Sequence, residues 1–145
     1  MTAVIQRVSH AKVMIENKLI SEIGNGLMIL LGIRKGDNEE HVKTLAEKCA
    51  HSRIFEDHEG KFNLSVRDVH GEALVVSQFT LLANTSRGRR PSFIEAEEPE
   101  KAKKLYEYFI EALSDLDVPT KGGIFGEKMH LSIENRGPVT IIMEV

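Results

Sequence analysis

Little in this sequence can cross-link the chain or carry it through a membrane. Cys49 is the only cysteine among 145 residues, which excludes an internal disulfide and points to a reducing compartment, with the cytosol as the expected location. The longest apolar run, Leu27 to Leu31, is broken by Gly32, far short of the eighteen or more residues of a spanning helix. The N-terminal residues lack the basic start, apolar stretch and cleavage site of a secretory leader. A net charge of −3 argues against a protein that coats nucleic acid indiscriminately, although phosphate affinity depends on local charge.

The familiar catalytic patterns are also missing. Of the six histidines (His10, His41, His51, His58, His70, His130), none has metal-binding spacing. There is no dinucleotide fingerprint, Walker loop or nucleophile elbow. Gly122-Gly123-Ile124-Phe125-Gly126 is glycine-rich but lacks the lysine and the strand-to-helix setting of a phosphate loop. The expectation is chemistry without a metal, a cofactor or a standard triad.

What is present fits one domain, residues 1–145, with 41% hydrophobic and 28% charged residues. Ala3–Val8, Lys12–Glu16 and Leu19–Ile23 read as short strands, with Ser9-His10-Ala11 separating the first two and Gly24-Asn25-Gly26 marking a turn. The apolar run Leu27–Ile33 suits a strand covered on both faces. Asp37-Asn38-Glu39-Glu40 resembles a capping box with Asp37 as the cap. Behind it, Val42, Leu45, Ala46, Cys49 and Ala50 follow the spacing of a buried helix face. Cys49 there reads as core, with no group nearby to make it a nucleophile. Ala73–Phe79 is a further strand. Pro99 opens a second helix, with Ala102, Leu105, Tyr106, Phe109, Ile110 and Leu113 as its stripe. Met129–Glu134 and Val139–Val145 read as two closing strands joined by a turn at Asn135-Arg136-Gly137-Pro138. The fold class is α/β: a mixed, barrel-like sheet with two amphipathic helices. Leu81–Phe93 and Thr120–Lys128 are left irregular, and function is expected in such loops. Arg87, Arg89 and Arg90 concentrate charge in the first of them; they read either as solvated loop charge or as a contact for RNA.

Val76-Ser77-Gln78-Phe79-Thr80-Leu81, followed by Arg87-Gly88-Arg89-Arg90-Pro91-Ser92-Phe93, resembles the SQFT region of the D-aminoacyl-tRNA deacylases (the D-tyrosyl-tRNA deacylase family). Gly123-Ile124-Phe125-Gly126-Glu127-Lys128-Met129 is similar to their GxFG…M segment, and Asn135 to Thr140 to their NxGPVT motif. The resemblance runs the length of the chain. It implies a homodimer with an active site near the dimer interface on each side, acting on the aminoacylated 3′ end of tRNA. The reaction implied is hydrolysis of the ester to a D-amino acid. Ser77, Gln78, Phe79 and Thr80 are then the catalytic segment, with Leu81, Phe125 and Met129 in the substrate pocket. Gly137-Pro138 becomes a cis unit that reaches into the partner's site and excludes L side chains, supported by Arg7. Glycine, with no side chain to exclude, should pass. Arg87, Arg89 and Arg90 become tRNA contacts. Thr80 is open to two readings, nucleophile or pocket residue, since a threonine hydroxyl needs a base to activate it. Glu127-Lys128 departs from the family pattern of a small residue and then an acidic one, so no role carries over to that pair. Two other readings share the residues: a non-catalytic RNA- or ligand-binding dimer, and an amidase acting on free D-peptides.

Overall fold

In a computed structural model that describes all residues from Met1 to Val145, the first strand decides the layout. β1 (Thr2–Ile15) is one continuous strand, where the sequence suggested two. Its first half pairs antiparallel with β3 (Gly26–Gly32) and its second half with β2 (Lys18–Ile23), while its other edge pairs with β8 (His130–Glu144) throughout. The expected break at Ser9-His10-Ala11 is a bulge: Val8 faces Asn135 and His10 faces Glu134, leaving Ser9 without a partner. The extra residue shifts the strand's alternation. Ala3 and Ile5 therefore point to one core, and Val8, Ala11 and Val13 share the other.

β3 pairs parallel with β6 (Glu72–Ser77), and β6 with β7 (Thr120–Gly122). β7 falls inside a stretch the sequence left irregular. Three residues followed by glycine carry almost no strand propensity, and it is the open edge of β6 that makes a strand of them. Ser21 Oγ donates to Gly122 O at 2.6 Å and Lys121 Nζ to Glu22 O at 2.7 Å, so β2 meets β7 and the mixed sheet nearly closes into a barrel. Inside it pack Val8, Ala11, Val13, Ile23, Met28, Leu74 and Val76.

The sheet's other face carries the larger core, covered by α1 (Glu39–His51) and α2 (Pro99–Asp115). Leu27, Ile29 and Leu31 of β3 point to the helices while Met28 points into the barrel, which explains the unbroken apolar run. Both helical stripes are buried as predicted, except that Ile110 is only half-buried. The cap of α1 is Asn38, whose side chain accepts from the Glu40 and His41 amides at 3.0 and 3.1 Å. Asp37 is drawn away by the Met1 ammonium at 2.8 Å and the Arg34 amide at 2.6 Å. Cys49 is buried and its thiol is pushed up to about 12 by desolvation, as a core residue should be. No helix is long and apolar enough to cross a membrane. A short hairpin, β4 (Phe55–Glu56) and β5 (Phe62–Leu64), completes the chain's ordered elements.

Candidate active site

The C-terminal end of β6 runs into a cleft of about 500 Å³, lined by Ser77, Gln78 and Phe79 on one side and Phe125 and Met129 on another. Gln78 N–H still belongs to the sheet, donating to Leu31 O at 2.8 Å. The chain then tightens into a 3₁₀ turn, Phe79–Leu82, so the strand stops at Ser77, two residues short of its predicted end at Phe79. The leading amides of such a turn have no acceptor within it. Phe79 N–H, on the cleft wall, and Thr80 N–H, one residue beyond the lining, are thus left without an acceptor in the turn, while Leu81 N–H is occupied by Gln78 O at 3.2 Å. β7 ends short of Ser77 (its last bond is Gly123 N–H to Val75 O, 3.0 Å), so Ser77 stands at an edge that β7 no longer covers.

Thr80 is exposed, and its hydroxyl accepts from Gln78 Nε2. No histidine lines the cleft. Its carboxylates are Glu127, which is exposed, and Glu97. The Lys101 ammonium at 2.7 Å, with the Glu98 amide, holds Glu97 below the usual carboxylate range. Glu97 also receives Gly36 N–H at 3.4 Å. A carboxylate tied this way is a poor proton acceptor and a good fixed charge. Sequence reading missed it, because one glutamate among Glu95, Glu97 and Glu98 carries no signal until the fold turns it inward.

Two glycines let this end of the cleft close. A Cβ on Gly123 would sit 2.6 Å from Met129 Sδ, and one on Gly122 would meet Ile110 and the Tyr106 hydroxyl at 2.7 and 2.8 Å. Tyr106 donates to Val75 O at 2.9 Å and lies 5.9 Å from the Phe125 ring. Burial pushes its phenol up to about 12, so it remains a donor across the physiological range.

The second motif is elsewhere in the protomer. Both flanks of Asn135–Thr140 pair antiparallel with β1, so the chain does not reverse there and the predicted turn between two strands is an outward loop within one long strand. Four residues, Arg136 to Val139, stand opposite Arg7 alone. Asn135 pinches the base: it accepts Val139 N–H at 2.7 Å and donates to Val139 O at 3.0 Å and Thr140 Oγ1 at 3.1 Å. Gly137–Pro138 is cis, with Gly137 at φ +142°, and both residues are exposed. Arg7, only 5% exposed, supports the loop from below. It donates to Arg136 O at 2.8 Å and Ile54 O at 2.9 Å, approaches Glu56 at 3.4 Å, and lies 5.2 Å from the Phe62 ring.

Arg7 is level with Ala73 of β6, by way of Leu27, and Ser77 is level with Ala3. The motifs, on β8 and β6, are thus separated by roughly 13 Å along the strands and about 14 Å across three strand spacings. Leu81 is half-buried behind the turn and does not line the cleft. Arg87, Arg89 and Arg90 are exposed on a loop closed at its base by paired bonds between Asn84 and Ser92, 2.8 and 3.0 Å.

The D-Tyr-tRNA(Tyr) deacylase family model matches residues 4–144. A D-aminoacyl-tRNA deacylase of Persephonella marina is 55% identical over 144 residues, 99% of this chain and 97% of that protein. One from Aquifex aeolicus is 53% identical with the same coverage. Among solved structures, a c-Myc DNA unwinding element binding protein superposes with a TM-score of 0.93 at 40% identity, covering 100% of this chain and 99% of the other. A probable eukaryotic D-amino acid tRNA deacylase, at 19% identity, shares the fold, with a TM-score of 0.82 and both chains covered in full.

Proposed function

The chain belongs to the D-Tyr-tRNA(Tyr) deacylase family, and from that premise we propose how it cleaves the ester of a D-aminoacyl-tRNA and spares the L form. The cleft takes the aminoacyl-adenosine end. Phe79 and Thr80 N–H groups receive the carbonyl oxygen as charge builds on it, and the Ser77–Gln78 side holds the attacking water. An aminoacyl ester is already activated, so orientation and oxyanion donors can carry much of the acceleration. The observation behind this reading is the pair of unoccupied turn amides beside a cleft that holds no evident base.

Gly137-Pro138 excludes the L side chain from the cleft of a second subunit. Two features support a filter working in trans: the distance between the motifs within one protomer, and the unpaired outer edge of β8, where Ile142 is 68% exposed. A long open edge invites pairing with another copy. Exclusion by backbone atoms takes no account of side-chain identity. Many D-amino acids are therefore accepted, and glycyl-tRNA is cleaved as well. The enzyme works in the cytosol, and Arg87, Arg89 and Arg90 lie against tRNA phosphates.

Incubation with D-Tyr-tRNA, L-Tyr-tRNA and Gly-tRNA, following loss of each ester, tests the scheme. D-Tyr and Gly esters should disappear and the L-Tyr ester persist. An intact D-Tyr ester at micromolar protein would leave the non-catalytic RNA-binding reading in its place. Thr80→Ala should retain deacylation within about tenfold of wild type, since its hydroxyl has no base to activate it. Abolished cleavage with an unchanged melting curve would instead make Thr80 the nucleophile.

A further inference from the structure

We propose that the Phe79–Phe93 pair, with Arg87, Arg89 and Arg90 beside it, is a stacking platform for the unpaired nucleotide that precedes the terminal adenosine of the tRNA. The proposal rests on the deacylase reading and extends it past the reacting ester. Phe79 is 55% exposed although it lines the cleft. Its ring meets that of Phe93 edge to face, centroids 5.1 Å apart and planes at 70°. Ile94, next in the chain, is 72% exposed. Burial does not account for this apolar surface; a base stacked on it would.

The size of the cleft sets where that base must go. About 500 Å³ lies in the range that encloses one drug-sized ligand, comparable to an aminoacyl-adenosine. The preceding nucleotide then has to lie outside, across the rim, and Phe79 belongs to both the cleft and its exposed rim. Charge points the same way. The cleft lining has no basic side chain, its charged residues being Glu127 and the Lys101-paired Glu97, whereas the three arginines stand on the loop whose base, at Ser92, adjoins Phe93. Phosphates leaving the cleft are drawn toward that loop. Aromatic rings beside guanidinium groups are the usual means of holding single strands without reading their sequence, which suits an end common to all tRNAs.

The test compares D-Tyr-tRNA with 3′-O-D-tyrosyl-adenosine, which has the ester and the adenosine but no preceding nucleotide. Phe93→Leu keeps apolar bulk without a flat ring. It should lower kcat/KM on D-Tyr-tRNA about tenfold and leave the adenosine ester within about twofold, while Phe93→Trp retains activity on both. The triple variant R87A/R89A/R90A should also lose activity only on the tRNA, and should flatten the dependence of log affinity on log salt by about 2. Equal losses on both substrates, or none on either, overturn the platform. So does a Phe93→Leu loss that accompanies a change in sedimentation, which would assign the patch to contact between copies of the chain. Wild-type protein that cleaves neither ester overturns the deacylase reading itself.

Discussion

Gly137→Ala is expected to lower the ratio of kcat/KM for D-Tyr-tRNA over L-Tyr-tRNA by about 100-fold, a difference near 2.8 kcal/mol, in a chain that still folds. The backbone there, at φ +142°, lies in a region that L residues occupy only at a cost of about 1–3 kcal/mol. An added Cβ would also stand 2.7 Å from Val139 Cγ2, 3.0 Å from Val139 N and 3.1 Å from Arg7 Nη2. The first of these can yield by a side-chain rotation. The other two belong to the base and the support of the loop, so the tip must tilt. Gly137 and Pro138 are exposed and outside both cores, so the substitution should lower the melting temperature by about 3–10 °C and leave the chain folded. Deacylation of both esters, measured beside a thermal melt, decides the matter. An unchanged D-to-L ratio in a folded variant would remove Gly137 from the filter.

Arg7→Ala should be the most damaging single change to the fold outside the hydrophobic cores, lowering the melting temperature by about 10 °C. Its ion pair with Glu56 contributes little, because the carboxylate is 47% exposed and water screens it. The main contacts are the carbonyls of Arg136 and Ile54. Removing the donor leaves them facing a cavity, at about 3 kcal/mol for the site as a whole, and each kcal/mol moves the melting point of a domain this size by about 3–4 °C. Arg7→Lys is expected to recover part of the stability and little of the selectivity. An ammonium cannot hold two carbonyls in the plane of one fork, so the loop loses its fixed height. A melting point within about 3 °C of wild type for Arg7→Ala would show that the loop supports itself through Asn135.

How much of this could be read beforehand depended on whether the signal was local. The helices declared themselves because Val42, Leu45, Ala46 and Cys49, or Ala102, Leu105, Tyr106 and Phe109, repeat at the helical period. The two-sided burial of β3 was equally visible. Errors arose where pairing partners decide the outcome. Ser9 looked like a break because a bulge and a turn have the same composition, and only Glu134 and Asn135 across the ladder tell them apart. Asn135–Pro138 looked like a reversal for the same reason. Asp37 matched the cap pattern and lost the position to Asn38 because the chain's own N-terminus claimed its carboxylate. For the site, the fold gathers Ser77, Gln78, Phe79, Phe125 and Met129 of the motifs on one cleft and leaves Thr80 and Leu81 outside its lining. Spacing along the chain could not reveal that Arg7 and Gly137 lie away from it, nor that Glu97 turns inward.

The loop at the middle of β8 also bears on how such a protein can change over generations. Arg136 contributes its carbonyl to the support and leaves its side chain exposed. Shape is held by Arg7 and Asn135, while surface charge is set by a neighbour that the shape does not require. Mutation at position 136 can therefore retune the electrostatics around the tip without disturbing its shape, as long as Gly137 and two supporting residues, 128 positions apart in the chain, are kept together.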